Sequence, residues 1–201
     1  MTDVETPRGL ARFDLVRPIG TARSLLIIGH GAGGGVEAPD IVAVRDAVLP
    51  RGVVVARVTQ PYRVLGKGVP PKSEVLDEAW ITVVRAIHKG VRKRLPLIVG
   101  GRSSGARVAC RTAAELGAAA VLALAFPLHP PGHPEKSRAG EIDPSVPTLI
   151  VNGSADPFGV PDPADGVDVL VRPGARHDLR KGLAETSALV GEWLCRMGLA
   201  A

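Results

Sequence analysis

Cysteine is nearly absent, with only Cys110 and Cys195 in 201 residues; this excludes a disulfide framework and a cysteine-rich zinc cluster. Both fall in helical patterns and read as small apolar fillers. Aromatic residues are scarce as well, two Trp, one Tyr and three Phe. The core must therefore be packed from Val, Leu, Ile and Ala, and no row of rings is available on which nucleic-acid bases could stack. No apolar run approaches the ~18 residues that suggest a membrane-spanning helix. The first residues, with Asp3, Glu5 and Pro7, hold no apolar leader core. The expectation is a soluble, cytoplasmic protein with neither nucleic acid nor membrane as a partner.

What is present is a globular composition, 45% hydrophobic with a net charge of +5, sized for one domain over residues 1–201; monomer and homodimer stay open. The one dense basic run, Arg85, Lys89, Arg92, Lys93 and Arg94, reads as a solvated helix end and the loop after it. Apolar runs of strand length alternate with helical patterns, as in a parallel sheet covered on both faces. Ser24 to Gly29, Val53 to Val58, Leu95 to Gly100, Ala119 to Phe126, Thr148 to Asn152 and Val167 to Val171 read as strands, and the alternation of Leu10 to Val16 leaves room for one or two more before them. Asp40 to Leu49, Ser73 to Lys89 with Ser73 as N-cap, Ser104 to Leu116 and Leu183 to Met197 read as helices. The predicted architecture is α/β, a mostly parallel sheet of six to eight strands with helices on both faces. Leu128 to Val146, dense in Pro, Gly and charge, has no period and is expected at the carboxyl edge of the sheet, facing substrate. No insertion is long enough for a helical lid.

Chemistry concentrates at strand ends. LIVGGRSSG carries an apolar strand into G-x-S-x-G, which points to a tight strand-to-helix turn with the hydroxyl of Ser103 exposed. A nucleophilic serine needs a base, and the base needs an acid that fixes its tautomer. His177 lies in the loop after the last strand, and Asp156 lies in a turn after another. The order Ser103, Asp156, His177 is that of the α/β-hydrolases. Asp178, Asp162 and Asp165 are held as reserve acids, and a mere turn-forming role for Asp156 stays open. The run from His30 to Gly35 can present backbone N–H groups to an oxyanion, with the amides of Ala32 and Ser104 as the expected donors and His30 as an orienting residue.

Two rival chemistries fail on spacing. Gly29, Gly31 and Gly34 match G-x-G-x-x-G, yet VVVARVTQ supplies no acid for a ribose, and the next helix starts too late to receive a pyrophosphate. His129 and His133 are four apart, but Pro130, Pro131 and Gly132 between them forbid the helix that would align both rings. Neither a cofactor nor a metal is expected.

Taken together, LLIIGHGAGG, LIVGGRSSGAR, FPLHPPGHPEKSR, NGSADPFG and the histidine of ARHDL resemble the α/β-hydrolase superfamily. They look most like its small lid-free members near the dienelactone hydrolases and the predicted hydrolases grouped with testis-expressed hydrolase-like proteins. The resemblance implies Ser103 as nucleophile, His177 as base and Asp156 as acid. It also places His129, Lys136 and Arg138 near the mouth, where Gly31 and Arg102 are expected to meet substrate too. A mouth made basic by Arg102, Arg107, Lys136 or Arg138 would suit an anionic substrate. The expected function is cleavage of a small-molecule ester or thioester by a carboxylesterase-like serine hydrolase, the alternative being a non-catalytic scaffold of the same fold.

Overall fold

The computed structural model describes residues 1–91 and 95–201; the Arg92, Lys93 and Arg94 part of the basic run lies outside them. Eight strands form one sheet in the order β1-β2-β4-β3-β5-β6-β7-β8. They are β1 (Thr2–Thr6), β2 (Gly9–Val16), β3 (Ser24–Gly29), β4 (Val53–Thr59), β5 (Leu97–Arg102), β6 (Ala120–Leu124), β7 (Thr148–Gly153) and β8 (Val167–Arg172). β1 and β2 form an antiparallel hairpin, β2 joins β4 antiparallel, and every pairing from β4 to β8 is parallel.

The central strands are continuous apolar runs because both of their faces are covered. In β3, Leu25 and Ile27 point into one core layer and Leu26 and Ile28 into the other. Helices α1 (Pro39–Val48) and α5 (Leu183–Arg196) cover the second layer, while α3 (Ser73–Gly90) and α4 (Ser104–Thr112) cover the first, preceded by the single-turn α2 (Pro61–Val64). Among the described residues no helix is long and apolar enough to cross a membrane.

Several boundaries differ from the sequence reading. Ser73 is the first helical residue of α3 and not its cap: Lys72 holds that position, with no side-chain hydrogen bond capping the helix. The regular part of α4 ends at Thr112, four residues early, and turns close onto Gly117 at φ 62°. β5 runs two residues later than expected, carrying both glycines of GG within the strand. β1 is the second of the one or two strands expected before Ser24; an edge strand half open to solvent has no apolar run to fix its place. Leu128 to Val146 is irregular, as expected, but well tied. The Arg138 guanidinium donates to the Pro127 carbonyl at 3.0 Å. A 3-10 turn over Ala139–Glu141 puts Glu141 against Arg107 and Arg111 of α4, and Arg111 pairs in turn with Asp77 of α3 at 2.6 Å.

Candidate active site

At the carboxyl end of β5 the chain reverses within one residue. Ser103 adopts φ 53°, ψ −112°, a strained conformation for a side chain with a Cβ that typically costs on the order of 1–3 kcal/mol. Its N–H donates to Leu124 O at 2.9 Å, and α4 starts at the next residue. The glycines of the motif permit this by close backbone approach. A Cβ on Gly101 would stand 2.2 Å from the carbonyl carbon of Gly105, and one on Gly105 would stand 2.6 Å from His30 O.

The loops after β7 and β8 bring the two other predicted residues to the same place. His177 Nε2 lies 2.9 Å from Ser103 Oγ, and its Nδ1 lies 2.8 Å from Asp156 Oδ2. The Asp156 side chain is fully enclosed, and its other oxygen accepts the Phe158 N–H at 2.9 Å. With a carboxylate facing Nδ1, the neutral ring carries its proton there and leaves Nε2 free to accept the serine proton. The Phe158 ring lies against the imidazole, with centroids 4.3 Å apart. The approach of the two loops depends on Gly153, where a Cβ would fall 2.1 Å from Ala175 O. The reserve acids stand elsewhere: Asp162, Asp165 and Asp178 are exposed, and Asp178 Oδ1 accepts the Arg180 N–H.

On the other side of Ser103, hydrogen bonds from uncharged groups brace the start of the loop after β3. His30 is buried, and burial lowers its pKa further than its bond to Gly31 restores it, so the ring is neutral. Its Nε2 accepts the Gln60 N–H at 3.1 Å, and Nδ1–H donates to Gly31 O at 2.8 Å. The Tyr62 hydroxyl donates to Ala32 O at 2.7 Å. Ala32 and Ser104 thus lie on the two backbone segments that border the serine.

The expected mouth residues divide. Gly31 does adjoin the nucleophile, since a Cβ there would stand 3.4 Å from Ser103 Cβ. The N–H of His129 donates to Phe158 O at 3.0 Å, and Lys136 is exposed on the loop. Arg102 is turned inward, with Nε 3.0 Å from Asp40 Oδ2 and Nη2 donating to His177 O at 3.1 Å. Arg107 is paired with Glu141, and Arg138 is engaged by Pro127. Of the four cations offered for a basic mouth, Arg102, Arg107 or Arg138 would have to leave the Asp40 or Glu141 carboxylate or the Pro127 carbonyl to serve, because a partly buried guanidinium needs an acceptor. Two grooves flank this rim, one of about 350 Å³ beside Tyr62 and Leu76 and one of about 300 Å³ beside Leu128 and Ile142. Ser103, itself half-buried, lines neither.

Four supporting residues were not read from sequence. Tyr62, the single tyrosine, and Gln60 hold the loop after β3. Asn152 is fully buried at the end of β7, where its amide pairs with both the N–H and the carbonyl of Phe126 at 2.8 Å and also donates to Gly159 O. Phe158 covers the imidazole. Asn152 carried a usable signal, a polar residue closing an apolar strand run; the others depend on loop paths. Cys110 offers no rival nucleophile, because burial pushes its thiol up to about 12.

Strand order, a serine turn after β5, an acidic turn after β7 and a histidine loop after β8 define the α/β-hydrolase fold, here without a lid. Residues 22–181 match the alpha/beta hydrolase domain family, and the chain belongs to it. Its fold is shared with an α/β serine hydrolase homologue from Coxiella burnetii, at TM-score 0.79 and 21% identity over 96% of each chain. A lid-free α/β serine hydrolase from Xanthomonas campestris superposes at TM-score 0.77 and 17% identity, covering 97% of this chain and 93% of that one. A dienelactone hydrolase from Anabaena variabilis does so at 0.77 and 19%, covering 97% and 95%. No curated protein is similar enough in sequence to count as a match.

Proposed function

We propose that the protein is a serine hydrolase that cleaves an ester or thioester of a small molecule through an acyl-enzyme. The observation that carries this reading is the unbroken hydrogen-bond chain from Ser103 Oγ through His177 to Asp156. In the first step Ser103 Oγ attacks the carbonyl carbon while His177 Nε2 takes the hydroxyl proton. The imidazolium so formed is held by the Asp156 carboxylate, and the carbonyl oxygen, now negative, is received by the Ala32 and Ser104 amides. Collapse of the tetrahedral intermediate expels the alkoxide or thiolate, which takes the proton from His177. Water then enters, gives a proton to His177 and attacks the acyl carbon, and return of that proton to Ser103 Oγ releases the acid.

Gly31, His129 and Lys136 are proposed to line the mouth. Relatives described as dienelactone hydrolase and serine hydrolases are in keeping with this class of reaction. Turnover of p-nitrophenyl acetate by the wild type and by Ser103→Ala tests it. A fall in kcat of roughly 10⁴-fold or more is expected, and equal rates would establish the non-catalytic scaffold instead.

A further inference from the structure

The side chain just before the nucleophile is committed in a way that substrate binding does not explain. One guanidinium, that of Arg102, touches three elements. It lies against Asp40 near the start of α1, it donates to the backbone carbonyl of the residue carrying the imidazole, and its Nη1 fills the space where a Cβ on Gly31 would stand at 2.9 Å. It is 18% exposed, and the Asp40 side chain is 3% exposed.

Asp40 is an expensive partner. The Ile41 N–H donates to its Oδ1 at 2.9 Å, whereas Oδ2 has no well-directed donor, the 3.0 Å approach of Arg102 Nε being off line. Burial raises its pKa above the ordinary value, and Arg102 offsets only part of that. A carboxyl raised in this way favours the fold below its ordinary pKa of 3.8, and that advantage is lost as pH rises through the raised value. At neutral pH the ionised Asp40 is therefore less favourable to the fold than its neutral form would be. The contact it makes at that cost is with the arginine behind Ser103.

We propose that Asp40 and Arg102 are positioning residues: Asp40 fixes the Arg102 guanidinium, which holds the His177 carbonyl and so keeps the imidazole aimed at Ser103 Oγ. This rests on the hydrolase reading above. The loop bends sharply two residues later, at Leu179 with φ 49°, so the carbonyl tie is the anchor nearest the ring on that side. Releasing it leaves the Asp156 hydrogen bond and the Phe158 ring to orient the imidazole, and small displacements of a reacting group are costly in rate.

Arg102→Met, Arg102→Lys and Asp40→Asn are each measured for kcat and KM on p-nitrophenyl acetate and for the midpoint of thermal unfolding. For Arg102→Met, kcat is expected to fall about 30-fold with KM within about twofold, and Arg102→Lys to recover part of the loss because an ammonium cannot span both acceptors. Asp40→Asn is expected to lower kcat roughly tenfold with a midpoint equal to or above that of the wild type, a combination that a purely structural ion pair does not give. Full kcat in Arg102→Met and Asp40→Asn, or losses of kcat only in step with a falling midpoint, would overturn the proposal. If the wild type itself shows no turnover dependent on Ser103, the hydrolase reading falls and this inference with it; an active wild type with an equally active Arg102→Met removes the inference alone.

Discussion

The two loops beside Ser103 differ in what holds them near the site. The start of the one after β3 is braced by neutral groups, His30 between Gln60 and Gly31 and the Tyr62 hydroxyl on Ala32, and charge enters only at its far end, where Arg57 holds Val36 O and Glu37. The one after β6, from Leu128 to Val146, is held chiefly by charge, with Glu141 clamped between Arg107 and Arg111 and Arg111 anchored on Asp77. A neutral network keeps its strength across pH and salt, whereas an ion-paired clamp weakens when its carboxylate is protonated or screened. The His30 to Ala32 stretch, proposed to present an oxyanion donor, is thus braced by the force that varies least with conditions, and the outer loop by the one that varies most.

The proposed proton path runs through the Ser103, His177 and Asp156 hydrogen bonds, and breaking it gives the largest expected effect. His177→Ala and Asp156→Asn are each predicted to cut kcat by about 10⁴-fold, the latter because an amide admits the wrong tautomer; steady-state kinetics on p-nitrophenyl acetate would read this. On the neutral side, Tyr62→Phe frees the Ala32 carbonyl and is predicted to lower kcat by roughly tenfold, equally at pH 6 and pH 8. A loss confined to one end of that range would mean that the brace is not neutral.

On the charged side, Glu141→Gln is predicted to leave kcat nearly unchanged but to destabilise the fold by about 1–3 kcal/mol at pH 7, in the range of charge-assisted hydrogen bonds. Burial alone would raise the Glu141 pKa, but the Arg107 and Arg111 guanidiniums outweigh it and hold it below its ordinary value of 4.5. A carboxyl lowered in this way stabilises the fold above its unfolded pKa, and loses that contribution as pH falls through the folded one. Urea unfolding should therefore show the gap between variant and wild type closing in acid, and a gap independent of pH would remove the clamp from the account. The smallest effect concerns selectivity. With Arg102 and Arg107 paired inside the fold, kcat/KM for a carboxylated ester is predicted to exceed that of its neutral match by no more than about threefold, as expected of one solvent-screened lysine. A preference of a hundredfold would show that the inner cations do reach substrate.

The sheet was legible because β3 to β7 are buried on both faces and read as apolar runs; Ser103 and Asp156 stood out because each follows such a run, and His177 because it lies in the loop after the last strand, the half-exposed β8. Of the N-terminal hairpin, β2 showed through the alternation of Leu10 to Val16, whereas β1, a half-exposed edge strand, alternates too weakly to stand out. Arg102 shows the limit most clearly. Its place beside the serine suggested a substrate contact, but its direction is set by Asp40 and by the His177 carbonyl, partners that only the folded loops bring within reach. Tyr62 and Phe158 were missed for the same reason: a hydroxyl or a ring carries no mark of the carbonyl or imidazole it will meet.

The central claim is that the hydroxyl of Ser103 is activated through His177. Mass spectrometry of the folded protein after a fluorophosphonate probe addresses it most directly, with His177→Ala as the paired sample. One adduct on the peptide containing Ser103, slowed by orders of magnitude in His177→Ala, is the predicted result; an unlabelled Ser103 in the folded wild type, or labelling at the same rate without the imidazole, would contradict it.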